Sequence, residues 1–547
     1  MTKTSSLSNA PSGVDMAGRL SSVLANHGVT VGFGVPGGGA NLDVVGAMAA
    51  NGIRFVLAHG ETAACIMAST HGLLTGTPVP VVVTRGPGAA CAVNGAAQAT
   101  LDRQPLVLIS DTVPTGARDR VPHQRVDQIA MLSPVTKGSL PFGPATDADT
   151  VADTVALAVA EPAGAVHLDY DTGLGDNTGL GDNTGLGDNT GLGTQTGGGP
   201  ELEHEIEAVA SRIEQARRPV VLIGRGALGA ADAVAAAALR FRAPVFLTYQ
   251  AAGVIPTEHD LAAGLFTNGA CEEGLIQEAD LIVTIGLDPV EPRSAPWPYQ
   301  QPVIALSPVP TADPYHPIET ELVGDLGVLV ERTLRAGHDW PSVAGAHYRQ
   351  SVRAELRRDE SDGLGPVALV ETLAGQLPPN VTTTVDAGAH FLAIMPFWPV
   401  DAPNTVLISN GLATMGYALP AAIGAALARP GDPVLCLVGD GGLGMTLAEL
   451  ETVARLDLPI TTVVFNDSGL SLIEIKQRAD EHGGPEAVRY RTTDFAAVAR
   501  GMGMEATVAT TVAEVTESMG SGWNRPLLVD ARIDPSHYRH LIAVTRG

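Results

Sequence analysis

Short apolar runs recur along the chain, each closed by a glycine-rich or polar turn and followed by a stretch whose apolar positions repeat at helical spacing. VTVGFGVPGG, RFVLAHGETAA, VPVVVTRGPGAA and PLVLISDT form a first set; PVVLIGRGALG, APVFLTY, LIVTIGLDP and PVIALSP form a second; TTTVDAGAH, TVLISNG, VLCLVGDGG, ITTVVFN and PLLVDARID form a third. Runs without alternation suit strands covered on both faces, and strand–helix alternation makes such strands parallel. The pattern predicts an α/β chain of three doubly wound parallel-sheet domains over 12–171, 201–337 and 365–540, with linkers at 172–200 and 338–364.

The first linker repeats TGLGDN three times and closes on TGLG within 172–193. A unit this polar and glycine-rich cannot pack a core and reads as a flexible connector. The alternative, a calcium-binding glycine–aspartate repeat, needs a longer unit with inward apolar positions. At the start of the chain, MTKTSSLSNAPSG lacks the apolar centre of a secretory signal and reads as a disordered tail.

Composition narrows the function. The 547 residues carry a formal net charge of −26, which disfavours general binding to nucleic acid or to an anionic membrane surface. No run reaches the roughly 18 charge-free apolar residues of a bilayer span. A cytoplasmic enzyme is expected. Cys65, Cys91, Cys271 and Cys436 lie among apolar neighbours without CxxC spacing and read as buried thiols.

The chemistry concentrates between Val434 and Asn466. Asp440 stands in a glycine turn after one apolar run and Asn466 at the end of the next, so two hard oxygen ligands meet at one sheet edge. Gly439, Gly441 and Gly442 let the backbone approach a phosphate, and together these features point to a magnesium-bound diphosphate. The plainer reading of GDG alone is a tight turn with Asp440 capping the next helix. Glu61 follows the strand RFVLAH, where a carboxylate also suits a helix N-terminus.

HGETAA with Glu61, RGPGA at 85–89, ALPAAIG at 418–424, GDGG at 439–442 and FND at 465–467 together resemble the thiamine-diphosphate-dependent enzymes of the acetolactate synthase and 2-oxo acid decarboxylase superfamily. The resemblance covers nearly the whole chain. It implies that the first domain binds the aminopyrimidine ring, the third binds the diphosphate and metal, and the second corresponds to the central domain that holds FAD in some relatives. Mg2+ is implied at Asp440, the Asn466 side-chain oxygen and the Ser468 backbone carbonyl. Cofactor contacts are implied at Ala389, His390, Ala413, Met415, Gly439, Asp440, Gly441, Gly442, Asn466, Ser468, Gly469 and Leu470. Met415, which by itself reads as core, matches the apolar wedge that folds the cofactor. Glu61 matches the acid that exchanges a proton with the pyrimidine ring, opening decarboxylation of a 2-oxo acid through an enamine intermediate. A homodimer is the implied minimum unit, because relatives combine the first domain of one subunit with the third of another; a homotetramer is also common among them.

The fate of the enamine separates members of the superfamily. The paired histidines of pyruvate decarboxylases are absent after the first glycine turn, and Ile473 stands where those enzymes carry an acid and acetolactate synthases an apolar residue. Fewer proton donors favour ligation over protonation. Glu474 is adjacent, and a one-residue shift would reverse the inference. Gln124 matches a glutamine lining the acetolactate synthase substrate site and otherwise reads as an exposed turn amide. Arg85 departs from the small polar residue usual before GPG; it suits either a substrate carboxylate or an ion pair. In the central domain, GRGALG at 224–229 follows a strand, but GLDPVEP at 286–292 replaces the FAD-contacting loop of the synthases, so bound FAD is not expected. The expected activity is an acetolactate synthase-like carboligase or decarboxylase acting on pyruvate or a related 2-oxo acid. The alternatives are a non-oxidative decarboxylase, a hydroxyketone or acyl-CoA lyase, and a catalytically silent scaffold subunit.

Overall fold

The computed structural model describes residues 13–174, 200–312, 316–335, 337–358, 362–479, 483–520 and 522–547. The N-terminal tail up to residue 12 and most of the TGLGDN segment lie outside these residues.

Three six-stranded sheets follow one another along the chain, as the apolar runs predicted. The first holds β1 (Val31–Val35), β2 (Arg54–Leu57), β3 (Pro80–Val83), β4 (Leu106–Asp111), β5 (Ser139–Phe142) and β6 (Ala165–Tyr170), in the order 2-1-3-4-6-5. The second holds β7 (Pro219–Ile223), β8 (Val245–Leu247), β9 (Ala262–Leu265), β10 (Leu281–Ile285), β11 (Val303–Ser307) and β12 (Thr320–Val323), in the order 12-11-10-7-8-9. The third holds β13 (Thr382–Val385), β14 (Val406–Ile408), β15 (Val434–Gly439), β16 (Ile460–Asn466), β17 (Glu505–Ala509) and β18 (Leu527–Arg532), in the order 14-13-15-16-18-17. Neighbouring strands are parallel throughout. Central strands such as β4 and β10 are buried along their whole length, which is why their sequences show no alternation.

Each order reverses once beside the sheet's first strand: between β1 and β3, between β7 and β10, and between β13 and β15. In a doubly wound sheet such a reversal opens a crevice at the carboxyl ends of the strands. The loops carrying the candidate residues leave the first and third of these points.

The chain forms two compact units, one around the first sheet and one holding the second and third. Within the second unit, 338–364 is more than the linker expected from sequence: Ala344–Leu356 is a helix with Gly345, Ala346, Arg349 and Leu356 buried. The Leu356 carbonyl meets His537 Nε2 at 2.9 Å and the Glu355 carbonyl meets His540 Nε2 at 2.8 Å, tying the helix end to the C-terminal segment. Among the cysteines, Cys65 and Cys436 are buried as expected, whereas Cys91 is exposed and Cys271 half-buried; all four are free thiols. Among the described residues, no helix is long and apolar enough to cross a membrane.

Candidate active site

At the third sheet's switch point the β13 loop, Asp386 to His390, meets the β15 turn, Gly439 to Gly442. A Cβ on Gly442 would stand 2.9 Å from Asp386 Oδ2 and force a shift there, and one on Gly439 would stand 3.0 Å from His390 Cε1, a tight fit. Asp386 is fully buried. Its carboxylate accepts the N–H of Gly416 at 2.9 Å and of Ala418 at 3.2 Å, which anchors the turn carrying Ala413, Met415 and Gly416. Burial pushes the Asp386 carboxyl up to about 7, against those backbone donors. Ala413 holds φ 52, a left-handed conformation costly for a residue with a Cβ.

Ala389 and His390 open the helix Ala389–Ile394 and are both buried. The His390 ring stacks on Phe465 at 5.3 Å, burial pulls its pKa down to about 3, and its Nε2 has no hydrogen-bond partner. Thr414 Oγ1 is likewise buried without a partner. Three side chains converge over Gly441: a Cβ there would lie 2.7 Å from Leu470, 3.3 Å from the Tyr490 hydroxyl and 3.4 Å from the Met415 methyl.

Asp440 begins the helix Asp440–Thr446. Its Oδ2 accepts the N–H of Ser468 at 2.7 Å and of Gly469 at 3.2 Å; its Oδ1 accepts Gly441 N–H and the Tyr490 hydroxyl, each at 2.7 Å. Burial raises its pKa and these donors oppose the rise. Asp467 is raised to about 6, first by burial and further by the negative charge of Asp440, with the Ser471 hydroxyl opposing. Two carboxylates in one field disfavour joint ionisation, and a cation relieves that conflict.

On the first sheet, the β1 loop passes close to the β3 turn: a Cβ on Gly37 would meet Thr84 Oγ1 at 2.3 Å. Glu61 opens the helix Glu61–Thr75, and its Oε1 lies 3.4 Å from where a Cβ on Gly88 would stand. The helix Pro87–Leu101 packs against it at Gly95, where a Cβ would strike Cys65 Cβ at 2.3 Å. Arg85 forms an ion pair with the buried Asp111 at 3.1 Å, and Asp111 also accepts Arg85 N–H and Asn41 Nδ2, each at 2.9 Å. Gln124 is exposed at φ 56, with its backbone pressed on Gly86. Gln128 carries the buried polar contacts of that turn: its Oε1 accepts Gly86 N–H at 2.7 Å and its Nε2 donates to Asp169 at 2.7 Å.

At the second sheet's switch point, between β7 and β10, a side chain already fills the crevice. Glu291 is buried, and its Oε2 accepts the N–H of Arg225 at 2.9 Å and of Asp288 at 3.0 Å, while Oε1 accepts the Thr248 hydroxyl. A Cβ on Gly224 would lie 2.6 Å from Glu291 Oε2.

Three family models of thiamine pyrophosphate enzymes match the chain in order: the N-terminal TPP binding domain at residues 15–131, the central domain at 206–334 and the C-terminal TPP binding domain at 386–531. The acetolactate synthase of Bacillus subtilis (strain 168) is 30% identical over 538 residues, covering 94% of this chain and 92% of that protein. The chain belongs to the thiamine-diphosphate-dependent enzymes of the acetolactate synthase type. Acetolactate synthase isozyme 1 large subunit of Escherichia coli (strain K12) is 28% identical over 538 residues, covering 93% and 92% of the two chains. A probable 2-ketoarginine decarboxylase of Pseudomonas aeruginosa is 29% identical over 504 residues, covering 88% and 87%.

Of the residues expected to hold a metal, Asp440 and Asn466 are both buried. Asn466 Nδ2 donates to Asp530 at 2.8 Å and to the Thr493 carbonyl at 3.1 Å, and its Oδ1 is buried with no hydrogen-bond partner. The carboxylate sharing Asp440's field is Asp467. The Ser468 carbonyl, expected as a ligand, accepts Tyr490 N–H at 3.3 Å. Glu474 is bound by Arg478 and Arg489, so it does not stand open beside the exposed Ile473. Asp386, Tyr490 and Gln128 were missed as site residues. DAGAH and the GPG turn flagged their neighbourhoods, but only folding brings their polar atoms to these loops. Among the described residues no cluster of three His, Cys, Asp or Glu could hold a metal, so a cation here needs backbone and ligand oxygens as well.

Proposed function

We propose that this chain is an acetolactate synthase-like carboligase that decarboxylates pyruvate or a related 2-oxo acid and joins the remaining acyl unit to a second carbonyl compound. The observation that carries the choice of ligation is the Ile473–Glu474 pair: the exposed position is apolar and the adjacent acid is held by two arginines, so neither member of the pair offers a free carboxylic acid to a reacting carbon.

The residues at the third sheet's switch point fit thiamine diphosphate. His390 Nε2, unpartnered beside the glycine turn, would donate to a diphosphate oxygen once that nitrogen carries a proton, which the diphosphate's negative charge favours. We propose a metal set shifted by one residue from the one expected, in which Asp440 and Asp467 would hold Mg2+ together with the Gly469 carbonyl. Bound there, the cofactor supplies the nucleophilic carbon and the electron sink that decarboxylation of a 2-oxo acid requires. Met415, fixed through its turn to Asp386, would press an apolar methyl against the bound rings. Glu61 would carry at its carboxyl oxygen the proton exchanged with the pyrimidine. Arg85 is proposed to hold Asp111 and the loop at Gly39, and Gln124 to border the substrate. We propose a homodimer or homotetramer, to be read by light scattering.

In the central sheet, the contacts of Glu291 speak against a bound flavin dinucleotide. The backbone N–H groups that would meet a phosphate at a switch point are taken by Glu291. We infer that the purified enzyme carries no FAD, and absorbance near 450 nm tests this.

The deciding experiment incubates the protein with pyruvate, thiamine diphosphate and Mg2+ and identifies products by mass spectrometry. Acetolactate supports the proposal and acetaldehyde overturns it in favour of a decarboxylase. Glu61→Gln, expected to lose most turnover while keeping the cofactor, separates an enzyme from a silent scaffold.

A further inference from the structure

A cavity of about 80 Å3 lies in the second unit between the second sheet and the helix Ala344–Leu356, apart from every residue assigned above to cofactor or metal. Its wall is largely apolar and includes Phe246, Leu247, Val352, Leu356, Met395 and Trp398. Two guanidiniums interrupt that wall, Arg349 with 5% of its side chain exposed and Arg353 with 11%.

Both arginines lean on backbone. Arg349 donates to the carbonyls of His259, at 3.0 Å, and Ala262; Arg353 donates to the carbonyl of Pro396 at 2.7 Å. One carboxylate serves the two: Glu258 lies 3.4 Å from Arg349 and 2.7 Å from Arg353, and its own side chain is 57% exposed. Negative charge therefore reaches the pair from the solvent side, from Glu258 in direct contact and from the exposed Asp260 at longer range. Arg349 Nε and Arg353 Nη2 are buried with no hydrogen-bond partner. Buried cationic donors left short of partners are costly, and in a cavity that also offers apolar surface they favour a carboxylate with a hydrocarbon tail.

We propose that this cavity binds a short-chain aliphatic monocarboxylate, its carboxylate on Arg349 and Arg353 and its hydrocarbon against Val352, Leu356 and Trp398. A cavity of about 80 Å3 admits only a small ligand, so the hydrocarbon is short. Occupancy links the helix Ala344–Leu356 to the elements on either side of it, so stability reads it directly.

The test follows thermal unfolding of the full chain, loaded with thiamine diphosphate and Mg2+, against rising butanoate, butan-1-ol and butylammonium. Butanoate is expected to raise the midpoint saturably and the other two to leave it unchanged. Val352→Phe, which fills the cavity, and Arg353→Gln are each expected to weaken the butanoate response about tenfold or more. As an independent readout on the unmutated chain, the 13C-methyl signal of Met395, identified by its loss in Met395→Leu, should move with the same butanoate midpoint. Equal shifts from all three probes, a butanoate response that survives both variants, or an unmoved Met395 signal would overturn the proposal.

Discussion

The Tyr490 hydroxyl donates to Asp440 Oδ1 at 2.7 Å. It fixes the orientation of the carboxylate proposed to meet Mg2+, while the Ser468 and Gly469 N–H groups hold the other oxygen. Losing a partner that orients a metal ligand typically costs about 10–100-fold in metal affinity. Tyr490→Phe should therefore raise the Mg2+ concentration needed for half-maximal thiamine diphosphate binding by about tenfold, measured by calorimetry. An unchanged value would remove Tyr490 from the site.

The neighbours Asn466 and Asp467 should behave oppositely. Asp467→Asn removes one of two coupled carboxylates and is expected to weaken Mg2+-dependent cofactor binding by about 100-fold with little loss of stability. Asn466→Ala instead strips a donor from the buried Asp530 and should cost about 1–3 kcal/mol in denaturant unfolding. If Asn466→Ala abolishes metal dependence and Asp467→Asn does not, the original ligand set was right.

Glu291 makes stability depend on pH. Burial raises its pKa from 4.5 to about 7, with the Thr248 hydroxyl and the Arg225 and Asp288 N–H groups opposing and the Asp288 charge assisting. Between those pH values the folded chain holds a proton that the unfolded chain has released, so stability falls as pH rises through the window. The loss is on the order of 2–3 kcal/mol. Glu291→Gln keeps the shape of the protonated acid and should flatten this contribution; parallel pH–stability curves for the two proteins would refute it.

Arg85 stands against the buried Asp111 at 3.1 Å. Arg85→Ala strands that carboxylate and should cost about 1–3 kcal/mol, tempered by the partial exposure of the arginine. A raised Michaelis constant for an acidic 2-oxo acid with unchanged stability would instead assign Arg85 to the substrate.

The three sheets were legible because their strands are apolar on both faces, a pattern that survives without knowledge of neighbours. The helix Ala344–Leu356 was not: Arg349 reads as surface in a sequence, and the backbone carbonyls of His259 and Ala262, together with Glu258, make its burial tolerable. Sequence alone does not choose between Asn466 and Asp467 as the second metal ligand, because facing alternates along a strand and Asn466 at the end of β16 and Asp467 beyond it address different neighbours. Glu291 was visible as a letter in GLDPVEP, but no local pattern shows that its loop folds back into the sheet's own crevice. Glu61 and Asp440 were readable because each follows a strand and opens a helix, a placement that sequence order fixes.

Ile473 offers the sharpest test of reaction fate. Its side chain is 47% exposed in the single chain, on the helix Ser471–Ala479 that follows the Asp467–Leu470 turn, whereas Glu474 spends both oxygens on Arg478 and Arg489. A positioned general acid contributes about 10^2–10^4-fold to a proton transfer. Ile473→Glu should therefore raise the ratio of acetaldehyde to acetolactate by about tenfold or more, because protonation then competes with attack on a second carbonyl. Glu474→Gln should leave that ratio alone and lower the unfolding midpoint, since it releases two arginines from one buried carboxylate. If Glu474→Gln changes the product ratio and Ile473→Glu does not, the acid acts in the chemistry despite its arginine partners, and the chain is to be reassigned as a decarboxylase.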